Sequence, residues 1–427
     1  MSGTSPPPGT RNRWVIASAA VVMQMCLGII YSWSVFREPL ASLHGWSPAD
    51  TSAPYQYSLL FFTFGMIVGG LWQDRKGPRL VGSVGGLLLG TGCVLAALMG
   101  DTLNGLIFAY GVVGGVGVGF GYVTPIATCV KWFPDRRGFI VGLAVMGFGA
   151  GMLILAPLMS ALIGTNPELY AQTLPRTFLV MGIILYVFVI GAAQFFAVPP
   201  AGWRPAGWTP PTGSAAASTV DFTTAQMLRT WQFYVLWAIF LLGASVGLSV
   251  IGQAKPYMLN YVGAADAAAT IALSTLAVFN GAGRLLWGAF SDRAGRMAAT
   301  AGMGLLMAVG CAVFLRTGSD YALGLIGLCI VGFCYGGYLA TMPAFCADYY
   351  GPKNMGLNYG MLFTAFGVAG FFAPGYFAGI LTAAGENVTA GYSTIYLQMS
   401  VAAVVAMALA LIPRKPVRPA PAQSSAT

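Results

Sequence analysis

Two stretches of sequence decide the fold: Gly70-Leu71-Trp72-Gln73-Asp74-Arg75-Lys76-Gly77 and Gly288-Ala289-Phe290-Ser291-Asp292-Arg293-Ala294-Gly295. They share the pattern Gly-x-x-x-Asp-Arg-x-Gly, and their first glycines lie 218 residues apart. Gly138 and Gly356 repeat this spacing, and each of them ends a polar link between two apolar runs. Two equal offsets at equivalent places predict a duplicated chain whose halves face one another, with a site at the midplane between them.

Each residue type in the repeated pattern has a physical use. Glycine lets two helices approach closely, and the aspartate can accept hydrogen bonds at a neighbouring helix end. The basic residues can anchor to the membrane surface. An ordinary charged turn is disfavoured because the pattern recurs at the repeat offset. We therefore assign conformational gating, and no substrate contact, to Asp74, Arg75, Asp292 and Arg293.

The composition places the chain in a membrane. Of the 427 residues, 57% are hydrophobic and only 8% are charged, whereas soluble domains carry roughly 25% charged residues. The net charge of +9 does not indicate nucleic-acid binding, because the cations form short clusters between apolar runs. The seven cysteines form no Cys-x-x-Cys pair and the only histidine is His44, so neither a metal site nor a cofactor is expected.

Twelve apolar runs are long enough to span a bilayer, which takes about 20 residues. The predicted fold class is an all-α membrane protein with two pseudo-symmetric six-helix halves. The predicted segments are a first half at 1–198, a flexible cytoplasmic linker at 199–232, a second half at 233–413 and a disordered cytoplasmic tail at 414–427. The twelve runs lie at roughly 14–36, 54–73, 79–100, 104–130, 138–163, 177–198, 233–255, 268–290, 297–316, 321–346, 356–382 and 391–412.

The distribution of Lys and Arg predicts the orientation. With a cytoplasmic N-terminus, 16 of the 21 cations fall on the inner side, as the positive-inside rule requires. We therefore expect a multi-pass protein of a bacterial cytoplasmic (inner) membrane with both termini inside. The lipid bilayer is its expected partner, and the fold is expected to work as a monomer.

Arg284 is the candidate substrate-binding residue. A cation within a span costs about 2.5–3.5 kcal/mol on insertion scales and usually faces a cavity or a partner. No Asp or Glu lies in the middle of any predicted span, so a carboxylate substrate would supply the counter-ion through paired hydrogen bonds. The alternative is that Arg284 reaches the inner interface or pairs with a loop acid. Asn280, one turn away on the same face, either contacts substrate or bridges helices.

Aromatic residues in several spans would complete a pocket for a small apolar body with a charged head. For each of them, ordinary packing is the competing interpretation. The candidates are Tyr31, Tyr122, Tyr335, Tyr338, Phe363 and Phe366.

The paired Gly-x-x-x-Asp-Arg-x-Gly loops resemble those of the major facilitator superfamily. Phe279-Asn280-Gly281-Ala282-Gly283-Arg284-Leu285-Leu286-Trp287-Gly288 is similar to span eight of the oxalate/formate antiporters and their monocarboxylate transporter relatives, including bacterial L-lactate:proton symporters. In that family the matching arginine binds the substrate carboxylate. The other stretches that carry this likeness are Asn12-Arg13-Trp14, Tyr31-Ser32-Trp33, Met227-Leu228-Arg229-Thr230 and Trp132-Phe133-Pro134-Asp135-Arg136-Arg137-Gly138.

Two departures from the family pattern bear on the substrate and on coupling. Oxalate carriers have a lysine in span eleven where this chain has Phe366, and one central cation balances a monoanion better than a dianion. Animal monocarboxylate transporters carry an aspartate, implicated in proton coupling, where this chain has Asn280, which cannot titrate.

The expected function is therefore alternating-access transport of small monocarboxylates, L-lactate and also pyruvate, in symport with a proton. The alternative is anion exchange of the oxalate/formate type, which the missing titratable group favours. A non-transporting sensor is disfavoured because the tails are short. An enzyme is disfavoured because the spans show neither a nucleophile–base pair nor metal ligands.

Overall fold

The structure, a computed structural model, describes residues 12–208, 221–316, 320–412 and 415–416, and this part of the chain forms helices and loops without a strand. The predicted linker and tail fall partly on residues outside these ranges, so their boundaries remain predictions. Twelve long helices follow one another: α1 Arg13–His44, α2 Pro48–Lys76, α3 Pro78–Met99, α4 Leu103–Trp132, α5 Arg137–Ile163, α6 Pro167–Ala193, α7 Trp231–Asn260, α8 Asp266–Ala294, α9 Arg296–Leu315, α10 Tyr321–Tyr350, α11 Met355–Ala384 and α12 Val388–Ala410.

The predicted all-helical membrane fold is confirmed. Eleven of these helices are long and apolar enough to cross a membrane. The remaining one, α2, has 29 residues but begins with a more polar stretch around Gln56. Helices suit these apolar runs because a helix satisfies its own backbone hydrogen bonds where no water is available.

Polar residues begin several helices, and glycine ends the two motif helices. Ser47 and Asp50 form a capping box at the start of α2, and the Asp320 carboxylate accepts from two backbone N–H groups at the start of α10. The last glycine of each motif has a positive φ, which is 86° at Gly77 and 90° at Gly295. That backbone conformation strongly favours glycine, which explains the last position of the pattern.

The two halves meet along two seams, which we name by their helices. In the α2–α11 seam, Gly70 and Gly356 approach so closely that neither could carry a Cβ without a backbone clash, and Gly138 and Gly288 make the same contact in the α5–α8 seam. These contacts lie at the end of the bundle that holds the motif loops, here called the motif end. The positive-inside rule predicts that this end is cytoplasmic.

One irregular stretch interrupts α1 near the middle of the bundle. Residues Gly28–Trp33 form a 3₁₀ helix between two α-helical parts, and Gly28 lies directly against the backbone of Phe148 and Gly151 on α5. A 3₁₀ stretch inside a longer helix is often a hinge or a functional position. It includes Tyr31, one of the predicted pocket residues.

Candidate functional site

Arg284 lies in the α5–α8 seam and is almost completely buried, with 1% of its surface exposed. Its Nε donates to Asn280 Oδ1 at 3.1 Å, and its Nη1 donates to the backbone carbonyl of Val145 on α5 at 2.6 Å. The second bond joins the two halves of the protein. Gly149 on α5 has no Cβ, and an added one would lie 3.6 Å from the guanidinium carbon, so glycine leaves open space beside the charge.

The guanidinium charge is not neutralised by protein. Within the described residues no carboxylate forms an ion pair with Arg284, and no protein acceptor receives a hydrogen bond from Nη2. A guanidinium has five N–H donors, and only two of them are used here. A buried cation of this kind is costly unless it is paired. An anion that accepts bonds from Nη1 and Nη2 would supply both the missing charge and the missing acceptors.

Asn280 holds the arginine and connects α8 to α10. Its Oδ1 accepts from Arg284, and its Nδ2 donates to the carbonyl of Gly332 at 3.1 Å. Gly336 on α10 packs so closely on the Asn280 backbone that a Cβ there would clash. In this conformation Asn280 therefore bridges helices and orients the guanidinium.

An aromatic cluster drawn from both halves lies beside the arginine. Tyr122 is its centre, with ring centroids 5.1 Å from Phe62, 5.2 Å from Phe148 and 5.5 Å from Phe363. Helices α1, α2, α4, α5, α7 and α11 all contribute rings, and the largely apolar wall suits a small organic substrate. We define the aromatic cluster as Tyr31, Phe62, Tyr122, Phe148, Phe240, Tyr359, Phe363 and Phe366.

Three tyrosine hydroxyls add polarity to this wall. Tyr122, Tyr335 and Tyr359 lie within electrostatic range of the Arg284 guanidinium. The hydroxyls of Tyr335 and Tyr359 are buried, and within the described residues neither makes a hydrogen bond of normal geometry, although they lie near the hydroxyls of Tyr31 and Tyr122 respectively. Since a buried hydroxyl without a partner costs about 1–3 kcal/mol, both are available to a ligand or a water.

The structure places most of the predicted pocket residues close together, but not all of them. Tyr31 reaches the site through its edge-on contact with Phe148, with ring centroids 5.0 Å apart. Tyr338 lies elsewhere: its ring packs on Gly243 of α7, and no ring contact joins it to the aromatic cluster among the described residues. Sequence reasoning missed Phe62, Phe148 and Tyr359, because nothing in a run of apolar residues distinguishes them from lipid-facing aromatics.

At the motif end, Asp292 closes the α5–α8 seam. Its two carboxylate oxygens each accept a 2.8 Å bond, one from the backbone N–H of Gly138 and one from that of Phe139, at the start of α5. It also pairs with Arg296 at 2.7 Å, and Arg296 pairs in turn with Asp348 at 2.7 Å. Arg137 of the other half completes the network with a 2.6 Å bond to Asp348.

Asp74 closes the α2–α11 seam in the same way but with fewer ions. Its carboxylate accepts from the backbone N–H groups of Gly356 and Leu357 at 3.1 and 2.9 Å. The only cation paired with it in the described residues is Lys131, at 3.8 Å. In both seams a carboxylate of one half therefore sits on the positive end of a helix of the other half.

The two motif arginines are placed differently from the aspartates. Arg75 and Arg293 are exposed, and neither forms an ion pair within the described residues. Among the described residues, the cations that pair with the motif aspartates are Lys131 with Asp74 and Arg296 with Asp292. These pairings depend on contacts between distant helices, so the motif alone could not give them.

Comparison with known proteins agrees with this architecture. The profile described as Major Facilitator Superfamily matches residues 14–253 and 236–426. The oxalate:formate antiporter of Oxalobacter formigenes is 29% identical over 410 residues, covering 94% of this chain and 92% of the relative. The apicoplast pyruvate carrier 1 of Toxoplasma gondii is 26% identical, covering 83% and 81%.

The structure of the proton:xylose symporter XylE superimposes with a TM-score of 0.74 over 92% of this chain and 95% of that one, at 16% identity. At that identity the likeness shows the fold alone. Together with the profile match, it defines a multi-span membrane transporter. The chain belongs to the major facilitator superfamily, and its sequence relatives lie in the oxalate:formate and monocarboxylate group that its motifs resemble.

Proposed function

We propose that this protein is a secondary active transporter of small monocarboxylates, L-lactate-like acids and pyruvate, that works by alternating access. The observation that carries the proposal is Arg284, a buried cation between the two halves for which the described residues supply no counter-ion. A monoanion neutralises it, whereas a dianion would leave one negative charge unpaired in a cavity whose span-eleven position is Phe366.

Each pocket residue then has a role in binding. Arg284 holds the carboxylate through two parallel hydrogen bonds, and Asn280 keeps the guanidinium oriented. The hydroxyls of Tyr122 and Tyr335 contact the polar end of the substrate. The remaining wall encloses its apolar body and consists of Tyr31, Phe363 and Phe366, with Tyr338 supporting α10 behind it.

Substrate binding also couples the switch between conformations to loading. The bond from Arg284 to the Val145 carbonyl crosses the seam between the halves, so the halves separate more easily once a carboxylate replaces that acceptor. Neutralising the cation also lowers the cost of burying it during the switch. We infer proton-coupled symport, which is electroneutral for a monoanion, in a bacterial cytoplasmic membrane with both termini inside and one chain as the working unit.

Anion exchange is the second candidate, and one observation favours it. Within the described residues no Asp, Glu or His contacts Arg284 or the aromatic cluster, so no group with a suitable pKa lies beside the substrate. The name of the Oxalobacter formigenes relative describes an antiporter. Proteoliposomes separate the two: symport requires uptake of labelled L-lactate driven by an inward proton gradient, whereas exchange requires preloaded anion and no gradient.

The decisive variant is Arg284→Gln. It removes two charge-assisted hydrogen bonds, worth about 3 kcal/mol together, so we expect transport to fall roughly 100-fold at subsaturating substrate. Arg79→Gln on α3 is the matched control. Arg79 is exposed, so this variant should transport at the wild-type rate. Wild-type rate and affinity in Arg284→Gln would falsify the proposal.

A further inference from the structure

The segment 221–230, here called the strap, lies in the last part of the predicted linker and precedes α7. It contains one short helix, Thr224–Met227, which begins with a capping box between Thr223 and Gln226. The strap does not extend into the surrounding solvent. It lies along the loop between α10 and α11, where it forms a continuous set of hydrogen bonds.

Phe222 and Asp221 bond backbone groups of the α10–α11 loop. The N–H of Phe222 donates to the carbonyl of Tyr350 at 2.9 Å, and the N–H of Lys353 donates to the Asp221 carboxylate at 2.9 Å. Gly351 has φ of 82°, and a Cβ there would collide with Asp221. Glycine at this position therefore allows both the turn and the approach of the strap.

Asn358 makes the side-chain part of the strap contact. It is fully buried in the first turn of α11, and both ends of its amide bind the strap. Nδ2 donates to the carbonyl of Phe222 at 3.2 Å, and Oδ1 accepts from the Thr224 hydroxyl at 2.7 Å. Asn354 adds a third bond, from its Nδ2 to the same Phe222 carbonyl at 2.8 Å.

The helix start held by the strap is also the one that receives Asp74 across the α2–α11 seam. Gly356 and Leu357, whose N–H groups bond the Asp74 carboxylate, lie between the two strap-bound asparagines. The strap and α11 belong to the same half, whereas Asp74 belongs to the other. When the motif end opens, the Asp74 bonds must break while the strap bonds can persist.

We propose that the strap positions the start of α11 as the receptor for Asp74, and that its contacts set the balance between the closed and open forms of the motif end. Helix ends fray when their end groups lack partners, and a frayed α11 would present its N–H groups poorly to the carboxylate. Asn358 and Thr224 are thus positioning residues that act through Asp74. The proposal rests on Asp74 being a gate, as argued above.

The first half repeats the arrangement with different chemistry. Arg13, just before the apolar part of α1, bonds Asp135 in the α4–α5 loop at 2.8 Å, and its guanidinium lies 4.6 Å from the Phe133 ring centroid. That loop leads directly into the start of α5, which receives Asp292. In each half, residues at the start of the first helix or just before it hold the loop that leads to the helix start contacted by the opposite motif aspartate.

The test measures the width of the motif end directly. Lys76 and Ala294 are exposed and occupy equivalent places in the two motif loops, so spin labels on Lys76→Cys and Ala294→Cys report the distance between the halves. All seven native cysteines are buried, which limits background labelling. Double electron–electron resonance on the full-length protein gives the distribution of distances between the labels. The populations of short and long distances then give the ratio of closed to open forms.

Thr224→Val is the strap variant, because it keeps the side-chain shape and removes the bond to Asn358. Thr300→Val on α9 is the matched control, since Thr300 is buried and its hydroxyl has no partner. We expect Thr224→Val to raise the open-to-closed ratio about two- to threefold, less than Asp74→Asn itself, because the variant weakens the Asp74 bonds without removing them, while Thr300→Val leaves the ratio unchanged. Melting temperature in detergent, measured on both, confirms that the variants are folded.

A double-mutant cycle with Asp74→Asn separates positioning from general stability. If the strap acts through Asp74, Thr224→Val adds little once Asp74 is already replaced. Full additivity, or a Thr224→Val ratio equal to that of Thr300→Val, overturns the strap proposal. If Asp74→Asn alone leaves the distances unchanged, the gate assignment fails instead.

Discussion

The two seams at the motif end come from the same duplicated pattern, yet they differ in strength. In the α5–α8 seam, Asp292 belongs to a network in which Arg296 joins it to Asp348 and Arg137 crosses from the other half. In the α2–α11 seam, Asp74 has the same two backbone bonds but only Lys131 nearby, at 3.8 Å. Both seams contain a carboxylate bonded to a helix start. Among the described residues, the larger ion network lies in the α5–α8 seam.

The origin of this difference can be read from the repeat offset. The positions equivalent to Arg296 and Asp348 in the first half are Pro78 and Val130, neither of which is charged. The more strongly held seam is also the one that contains Arg284. The duplicated pattern therefore accounts for the two carboxylate contacts, and the larger ion network lies in the seam that contains the candidate substrate site.

Among these variants, Asp348→Asn should weaken the α5–α8 seam most strongly. It leaves Arg137 and Arg296 without their shared carboxylate while both remain mostly buried, and removing one partner of a buried pair costs about 3–5 kcal/mol. Partial exposure reduces that cost, so we expect the open-to-closed ratio of the motif end to rise about 10- to 100-fold. Spin-label distances provide the measurement, and an unchanged ratio contradicts the importance of the network.

Asp292→Asn and Asp74→Asn sharpen the comparison because they make the same change in each seam. Both variants replace one of the two carboxylate oxygens that accept bonds from a helix start across the seam. Asp292→Asn also loses the pair with Arg296, which belongs to the network that reaches Arg137 of the other half, so a roughly tenfold rise in the open form is expected. Asp74→Asn also loses only a pair at 3.8 Å, typical of contacts worth about 0–1 kcal/mol, and should give no more than about a fivefold rise. Equal effects, or a larger one for Asp74→Asn, would show that the network adds nothing.

Lys131→Met should have a smaller effect still. Its Nζ contacts the Lys353 carbonyl at 3.4 Å and Asp74 at 3.8 Å, and methionine retains most of the apolar stem. We expect a change of about two- to threefold in the open-to-closed ratio, because both side chains are mostly buried but their charged groups lie far apart for an ion pair. An unchanged ratio would show that the charge of Lys131 does not help to hold the seam closed.

Arg75→Gln and Arg293→Gln are expected to have the smallest effects. Both side chains are exposed and have no ion pair within the described residues. Transport should stay within about twofold of wild type, the usual range for surface changes of about 0.5 kcal/mol. A large loss in either variant would instead show that the arginines act in the open form of the motif end.

The sequence predicts the fold well because two independent signals agree. The apolar runs locate the helices to within a few residues at most ends, although α1 extends to His44 beyond the predicted 36. The repeated motif predicts that helices approach closely at its glycines, and the contacts of Gly70 and Gly288 agree with it. Both signals depend on local composition, which a single chain displays directly.

The site was predictable only where chemistry is unusual for a membrane span. Arg284 is conspicuous as a cation among apolar residues; Tyr122 lies within electrostatic range of it, and Phe363 packs on Tyr122. The Val145 carbonyl and the Tyr359 ring could not be found, because any backbone carbonyl and any aromatic looks the same in a sequence. Their roles arise from the crossing of α5 and α8 and from the position of α11, which are tertiary facts.

The buried charge on Arg284 has an electrical consequence. A unit charge that crosses the full membrane potential changes its energy by about 2.3 kcal/mol per 100 mV. An empty carrier would carry this positive charge through part of the field each time it reorients, and a carrier loaded with a monoanion and a proton would carry the same net charge in the opposite direction. In proton symport, voltage should therefore alter both reorientation steps while the net charge moved per cycle stays at zero.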